Sequence, residues 1–347
     1  MTFQLADLRL RLIQAPMAGG PSTPALAAAV GRAGGLGFLA AGYLAPEALH
    51  RQIEQLRSLA GDGAAFGVNV FAPQAVADPG AVQAYREQLL PEALEAGVEL
   101  PEPDFEDTDH WTEKLELLAA DPVPVVSFTF GLPEPEVLAR LRGQGTYTIG
   151  TVTSPDEARQ AVAAGVDALC VQGPEAGGHR GVFDPSIVPS ATPLSALLQQ
   201  VRAAVTTGPR QLPLIAAGGI STSAVVAGLL ASDLADAVQL GTAFLRADEA
   251  GTNQLHRNAL VDEAFSETVV TRAFSGRWAR ALRTSFTDRH ADAPAAYPVI
   301  NQLTKPLRTA AAAREDADGM NLYAGSGHLL AQAGPAADII EGLAKEL

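Results

Sequence analysis

The sequence predicts a (β/α)8 TIM barrel with a small helical domain inserted near the C-terminus. Two observations predict it. Eight short apolar, β-like runs recur along residues 1–245, most followed by a helical pattern. Strands alternating with helices imply parallel pairing through right-handed crossovers. Polar and glycine-rich signals cluster directly after these runs, as expected of a barrel whose site lies at the carboxyl ends of its strands. The 347 residues, 47% of them hydrophobic, suffice for a barrel of roughly 250 residues and an appendage.

The elements follow in order. The first run, 12–15, precedes a helix over 24–33, which Pro24 opens and Gly34-Gly35 closes. The second, 36–39, precedes a helix over 46–59, and the third spans 66–70. The acidic, proline-containing stretch 72–120 is too long for a plain βα loop. It reads as an excursion over the active-site face with at least two short helices. The fourth run is 123–128, and the fifth is 147–151, with Ser154 placed to cap a helix starting at Pro155. The sixth, seventh and eighth are 168–172, 213–217 and 237–240. Eight such units imply a closed barrel rather than an open doubly wound sheet.

Beyond Leu245 the strand pattern stops. Residues 246–320, with Arg272, Arg277, Arg280, Arg283 and Arg289, read as a small helical domain covering the barrel mouth. Residues 321–347 read as a tail whose final helix returns to the barrel.

Composition narrows the partners. A formal net charge of -15 disfavours nucleic acid and anionic membranes. The charges are scattered, as on a soluble surface. The single cysteine, Cys170, lies in an apolar run, which excludes an intrachain disulfide, fits a cytoplasmic setting and reads as a core thiol. No basic segment precedes an apolar one at the N-terminus, and no run of about 18 apolar residues suggests a membrane span. The histidines lack metal-ligand spacing, so no metal is expected. Barrels often self-associate, so a homo-oligomer is compatible with the sequence.

The most informative segment is Gln172-Gly173-Pro174-Glu175-Ala176-Gly177-Gly178-His179-Arg180-Gly181. It follows the sixth run, so it lies at the catalytic face. Gly177 and Gly178 let backbone approach a flat ligand, and His179 is the side chain best suited to proton transfer near neutral pH. His50, His110, His256, His290 and His328 fall in helices or polar loops and read as surface residues. Gly218-Gly219 after the seventh run and Gly241-Thr242 after the eighth occupy the two loops where barrels commonly bind phosphate. Either pair alone reads best as a tight turn; together they favour phosphate. Asn69 and Gln172 end strands with amides that cap the strand or pair with the edge of a flat ring.

These residues resemble the nitronate monooxygenase family. The likeness runs through Ala15-Pro16-Met17-Ala18-Gly19-Gly20, Gly67-Val68-Asn69, Val126-Ser127-Phe128, Glu175-Ala176-Gly177-Gly178-His179, Ala217-Gly218-Gly219-Ile220 and Gln239-Leu240-Gly241-Thr242. These mark an FMN barrel. Tyr297-Pro298 to Asn301, Lys305-Pro306-Leu307-Arg308 and Met320-Asn321-Leu322-Tyr323-Ala324-Gly325 resemble the C-terminal motifs of the class I bacterial type and discriminate better.

The resemblance implies FMN as cofactor. The backbone near Met17, Ala18 and Gly19, with Asn69 and Gln172, would hold its ring, and Ser127 would contact it. Gly177, Gly178, Gly218, Gly219, Gln239, Leu240, Gly241 and Thr242 would line its ribityl and phosphate path. His179 would be the base that removes an α-proton, and Tyr297 and Lys305 would face the substrate. The implied reaction oxidises alkyl nitronates such as propionate 3-nitronate with O2, giving a carbonyl compound and nitrite. Such detoxification needs small-molecule partners only. The nearest alternatives on the same barrel are an FMN-dependent enoyl-acyl-carrier-protein reductase and an NADH:quinone reductase, both using a nicotinamide donor. A flavin carrier without turnover is a third, which needs no base at His179.

Overall fold

Alternating apolar strands and capped helices wind into a closed parallel barrel. The computed structural model describes residues 3–61, 63–75, 77–206 and 211–347. The barrel strands are β1 (Leu12–Gln14), β2 (Gly37–Ala40), β3 (Phe66–Phe71), β4 (Val125–Thr129), β5 (Tyr147–Val152), β6 (Ala168–Gln172), β8 (Leu214–Ala217) and β9 (Ala237–Leu240). A two-residue strand, β7 (Gly178–His179), lies outside the barrel. The parallel order is β1-β9-β8-β6-β5-β4-β3-β2, and a bridge between Ile13 and Leu36 joins its two ends. Closure leaves no exposed sheet edge.

The strand side chains divide by the two-residue period. Ile13, Phe38, Val125, Ile149, Ala168, Cys170, Ile215 and Ala237 fill the interior. Leu12, Leu39, Val68, Val126, Leu169, Val171, Leu214 and Val238 pack outward against the helices. Both faces are buried, which is why the strands read as continuous apolar runs rather than alternating ones. The helices are α1 (Pro24–Arg32), α2 (Pro46–Ala60), α3 (Pro79–Ala96), α4 (Trp111–Ala120), α5 (Pro135–Gly143), α6 (Pro155–Ala164), α7 (Leu194–Val205), α8 (Ser223–Ala231), α9 (Gln254–Ala259), α10 (Ser285–Arg289), α11 (Val299–Ala313) and α12 (Ala336–Leu343). Local chemistry starts several of them: Thr23, Ser154 and Thr222 each accept a backbone N–H in the first turn of α1, α6 and α8. Ile339, Ile340 and Leu343 of α12 join the barrel's outer core, so the chain's last helix does return to the barrel.

The region above the barrel differs from the sequence expectation in two ways. Residues 246–320 are not purely helical. They hold β10 (Thr268–Thr271) and β11 (Ala279–Leu282), which pair antiparallel, and β11 also pairs with β7. The stretch 72–120 does not stand apart either. Its α3 is an 18-residue helix. Val82, Tyr85 and Leu89 of α3 share a second core with Phe274, Phe286, Ile300, Leu303 and Leu307. The cap over the barrel is thus one packed unit built from two distant segments. Its short strands escaped notice because two strands of four residues each are too short to carry a clear period.

Candidate active site

One cavity of about 1150 Å³ opens between the carboxyl ends of the barrel strands and the cap. Every site residue singled out from the sequence lines it: Met17, Ala18, Gly19, Asn69, Ser127, Gln172, Gly177, Gly178, His179, Gly218, Gly219, Gln239, Leu240, Gly241, Thr242, Tyr297 and Lys305. The volume exceeds the usual upper range for one small ligand, about 1,000 Å³.

The floor is rigid. Buried Gln14 donates from Nε2 to Ser22 Oγ (2.9 Å) and accepts from Phe38 N (2.9 Å), and Met17 N donates to the same Ser22 oxygen (2.8 Å). These bonds fix the 15–22 loop. Asn69 Nδ2 donates to Ser127 Oγ (2.9 Å) and Thr129 Oγ1 (3.0 Å). Its amino group is therefore spent inside the barrel, and only its carbonyl remains for a ligand. Gln172 spends both ends on the histidine loop: Nε2 donates to His179 O (3.0 Å) and Oε1 accepts from Gly181 N (2.8 Å). Gln239 Nε2 donates to Cys170 Sγ (3.3 Å). Burial pushes the Cys170 thiol up to about 12, as befits a core thiol.

The glycines have separable reasons. A Cβ on Gly177 would lie 2.4 Å from Gly325 N, so that position is reserved for close approach of the 324–325 backbone. Gly178 is in the left-handed region (φ 74°) and a Cβ there meets no atom within 4 Å, so the space beside it is open. Gly218 and Gly219 also have positive φ (102° and 72°) and pack on Ala176 and Glu175. Their turn precedes α8. Thr242 Oγ1 accepts from Gly325 N (2.9 Å), binding the C-terminal segment to the last barrel loop.

His179 sits where barrel and cap meet. Its ring lies 5.8 Å from that of Phe130, 5.7 Å from Tyr297 and 5.1 Å from Tyr323. Its Nε2 is 2.8 Å from Ser275 Oγ. The Ser275 hydroxyl donates to Arg277 O (3.3 Å), so its oxygen is left to accept from Nε2–H. In that arrangement Nδ1 carries the ring's lone pair. Burial, with the nearby Arg277 and Arg308 cations, pushes the His179 pKa down to about 3. The imidazole is neutral at physiological pH.

Tyr297 is buried and Lys305 is exposed on α11. Burial holds the Tyr297 phenol well above its ordinary pKa and raises that of Tyr323, so both stay neutral. The sequence reading missed Tyr43, Phe130, Ser275, Arg308 and Tyr323. Phe130, the first residue after β4, is in the left-handed region at φ 77°, a conformation no pattern in the sequence announces. Three of the other histidines are buried rather than on the surface. His256 lines the cavity, His290 Nε2 meets Glu92 Oε1 at 3.0 Å, and His328 Nε2 lies 3.0 Å from Phe265 O. Among the described residues no cluster could hold a metal ion, and no helix is long and apolar enough to cross a membrane.

A closed barrel with one deep cavity at its strand ends, holding a neutral histidine beside two glycine turns, defines a barrel enzyme. Comparison narrows the class. The family model described as nitronate monooxygenase matches residues 5–346. A protein named nitronate monooxygenase from Paraburkholderia phytofirmans is 39% identical, over 97% of this chain and 92% of its own. A probable nitronate monooxygenase from Staphylococcus saprophyticus is 36% identical, over 99% of this chain and 96% of its own. The solved nitroalkane oxidase from Streptomyces ansochromogenes is 50% identical with a TM-score of 0.92, covering 99% of this chain and 97% of its own. FabK from Thermotoga maritima is 27% identical with a TM-score of 0.73, covering 99% of this chain and 94% of its own. The chain belongs to the nitronate monooxygenase family, and it is an oxidoreductase.

Proposed function

We propose that the protein binds FMN and oxidises alkyl nitronates, propionate 3-nitronate among them, and their neutral nitroalkane parents. The acceptor is O2, and the products are a carbonyl compound and nitrite. The observation that carries this reading is His179: neutral, bonded to Ser275, ringed by aromatics, and in the same cavity as the glycine turns. The residues fit FMN. The open space beside Gly178 and the rigid 17–19 backbone suit a flat ring, with the Asn69 carbonyl at its edge. The Gly218-Gly219 turn before α8 and Gly241-Thr242 suit a phosphate. When bound, FMN supplies the electron acceptor that no amino acid side chain provides.

The chain's own residues do the rest. His179 Nδ1 takes the α-proton of a neutral nitroalkane, which leaves the electron-rich nitronate. Ser275 holds the ring so that Nδ1 keeps its lone pair. Phe130, Tyr297 and Tyr323 exclude water around it, and Tyr297 and Lys305 face the substrate from the cap. A preformed nitronate has already lost this proton. Substitution His179→Asn is therefore expected to lower kcat/KM for nitroethane by about 10²–10⁴-fold and that for its nitronate far less, with flavin content unchanged. Equal losses on both substrates would remove the base assignment. Anaerobic mixing separates the nicotinamide-dependent alternatives: propionate 3-nitronate is expected to bleach the flavin absorbance and NADH to leave it. Bleaching by NADH alone would leave only the fold and the FMN site.

A further inference from the structure

Two arginines near His179 are held in opposite ways. Arg277 is fully buried, and each of its three side-chain nitrogens donates to protein. Nε donates to Arg180 O, the two Nη atoms donate to Gln74 Oε1 and Val182 O, and the guanidinium lies 3.8 Å over the Phe130 ring. It is a structural cation.

Arg308, on α11, lines the cavity. Its Nη2 donates to both the backbone carbonyl and the side-chain Oδ1 of Asn301, each at 2.9 Å, which fixes the plane of the fork. Its Nε and Nη1 have no partner among the described residues. No carboxylate among the described residues pairs with it either. The nearby acidic groups are engaged elsewhere: Asp109 with Lys114 (2.8 Å) and Asp107 with Gln302 Nε2 (2.8 Å).

A half-buried guanidinium with two unused donors and no counter-ion is costly unless an anion completes it. Nη2 belongs to both two-donor edges of the guanidinium and is already engaged, so an anion here meets single charged N–H donors, Nε or Nη1, rather than a fork. We infer that Arg308 is the anion anchor of the cavity, donating a charged hydrogen bond to an oxygen of the substrate's nitronate group beside His179. This rests on the nitronate reading above. It adds that the anion is held by a fixed cation of the cap, in a chain whose net charge of -15 otherwise repels anions.

The test uses inorganic nitrate, a planar oxyanion that needs no turnover, titrated calorimetrically into the purified protein. Nitrate is expected to bind the wild type, and Arg308→Met to weaken it at least about tenfold, in line with the loss of a charged hydrogen bond. Should the methionine variant fail to give a native melt, Arg308→Gln carries the same expectation. In parallel, KM for propyl-1-nitronate is expected to rise by a similar factor. Unchanged nitrate affinity in a folded variant would overturn the anchor while leaving the proposed reaction standing. Arg308-dependent nitrate binding by a protein that does not oxidise nitronates would support the anchor and remove the reaction.

Discussion

The barrel and its cap meet at one cavity but are built by different rules. The barrel contributes fixed backbone, glycine turns and amides whose hydrogen bonds are already spent on the scaffold. The cap contributes side chains with chemistry to spare: Tyr297, Lys305, Arg308 and Tyr323. The contrast teaches a division of labour. The barrel's share of the cavity wall is over-determined, and the cap's share is left under-bonded.

The largest effect that would break this contrast lies in the two cores. Phe38 is buried inside the barrel, while Phe274 is buried in the cap, stacked 4.7 Å from Phe286. Truncating either to Ala is expected to cost about 3–5 kcal/mol in urea unfolding. The Phe38 variant should lose flavin with its stability, and the Phe274 variant should keep flavin and lose turnover. If both released flavin together, barrel and cap would be one cooperative unit.

A smaller effect sharpens the contrast at the base. Ser275→Ala removes the acceptor for His179 Nε2–H, at about 1 kcal/mol for one hydrogen bond. Turnover of nitroethane is expected to fall by roughly five- to tenfold, with the nitronate rate nearly unchanged. The pH profile belongs to the same residue. Because His179 is held down to about 3 from an ordinary 6.5, the acid limb of kcat/KM for nitroethane should lie below pH 6.5. The sign for stability follows from linkage. Between pH 6.5 and 3 the unfolded histidine binds a proton that the folded one refuses, so stability falls as pH drops through that window. Urea titrations at pH 7 and 5 should show this decline, and His179→Asn should lessen it. The smallest effect is at Cys170. A buried thiol raised to about 12 should resist iodoacetamide at pH 8 in the folded protein, as judged by intact mass.

The barrel was legible because each of its strands and helices is announced locally. Runs such as Ala168–Gln172 are apolar on both faces, and Thr23-Pro24 and Ser154-Pro155 mark helix starts within two residues. Glycines at strand ends then pointed to the right face. The cap was not legible because its order is non-local. Tyr85 donates to Ala273 O at 2.8 Å across 188 residues of chain, and β10 and β11 are stabilised by a partner strand only two residues long. The same reason hid Arg308 and Ser275. Each was a polar residue in a helical or loop context, and its role exists only once the cap is folded over His179. The buried histidines were misjudged likewise: His290 reads as a polar loop residue until Glu92 arrives from α3.

The short pairing of β7 with β11 has a consequence for inheritance. His179 belongs by chain position to a barrel loop, yet by hydrogen bonding it is a strand residue of the cap, facing Ala279. A graft that exchanged one relative's cap for another's would cut through a β-ladder and shift His179 with it. Caps and barrels of this architecture should therefore diverge in step, and chimeras that keep residues 178–179 with the donor of 268–282 should outperform those that split them.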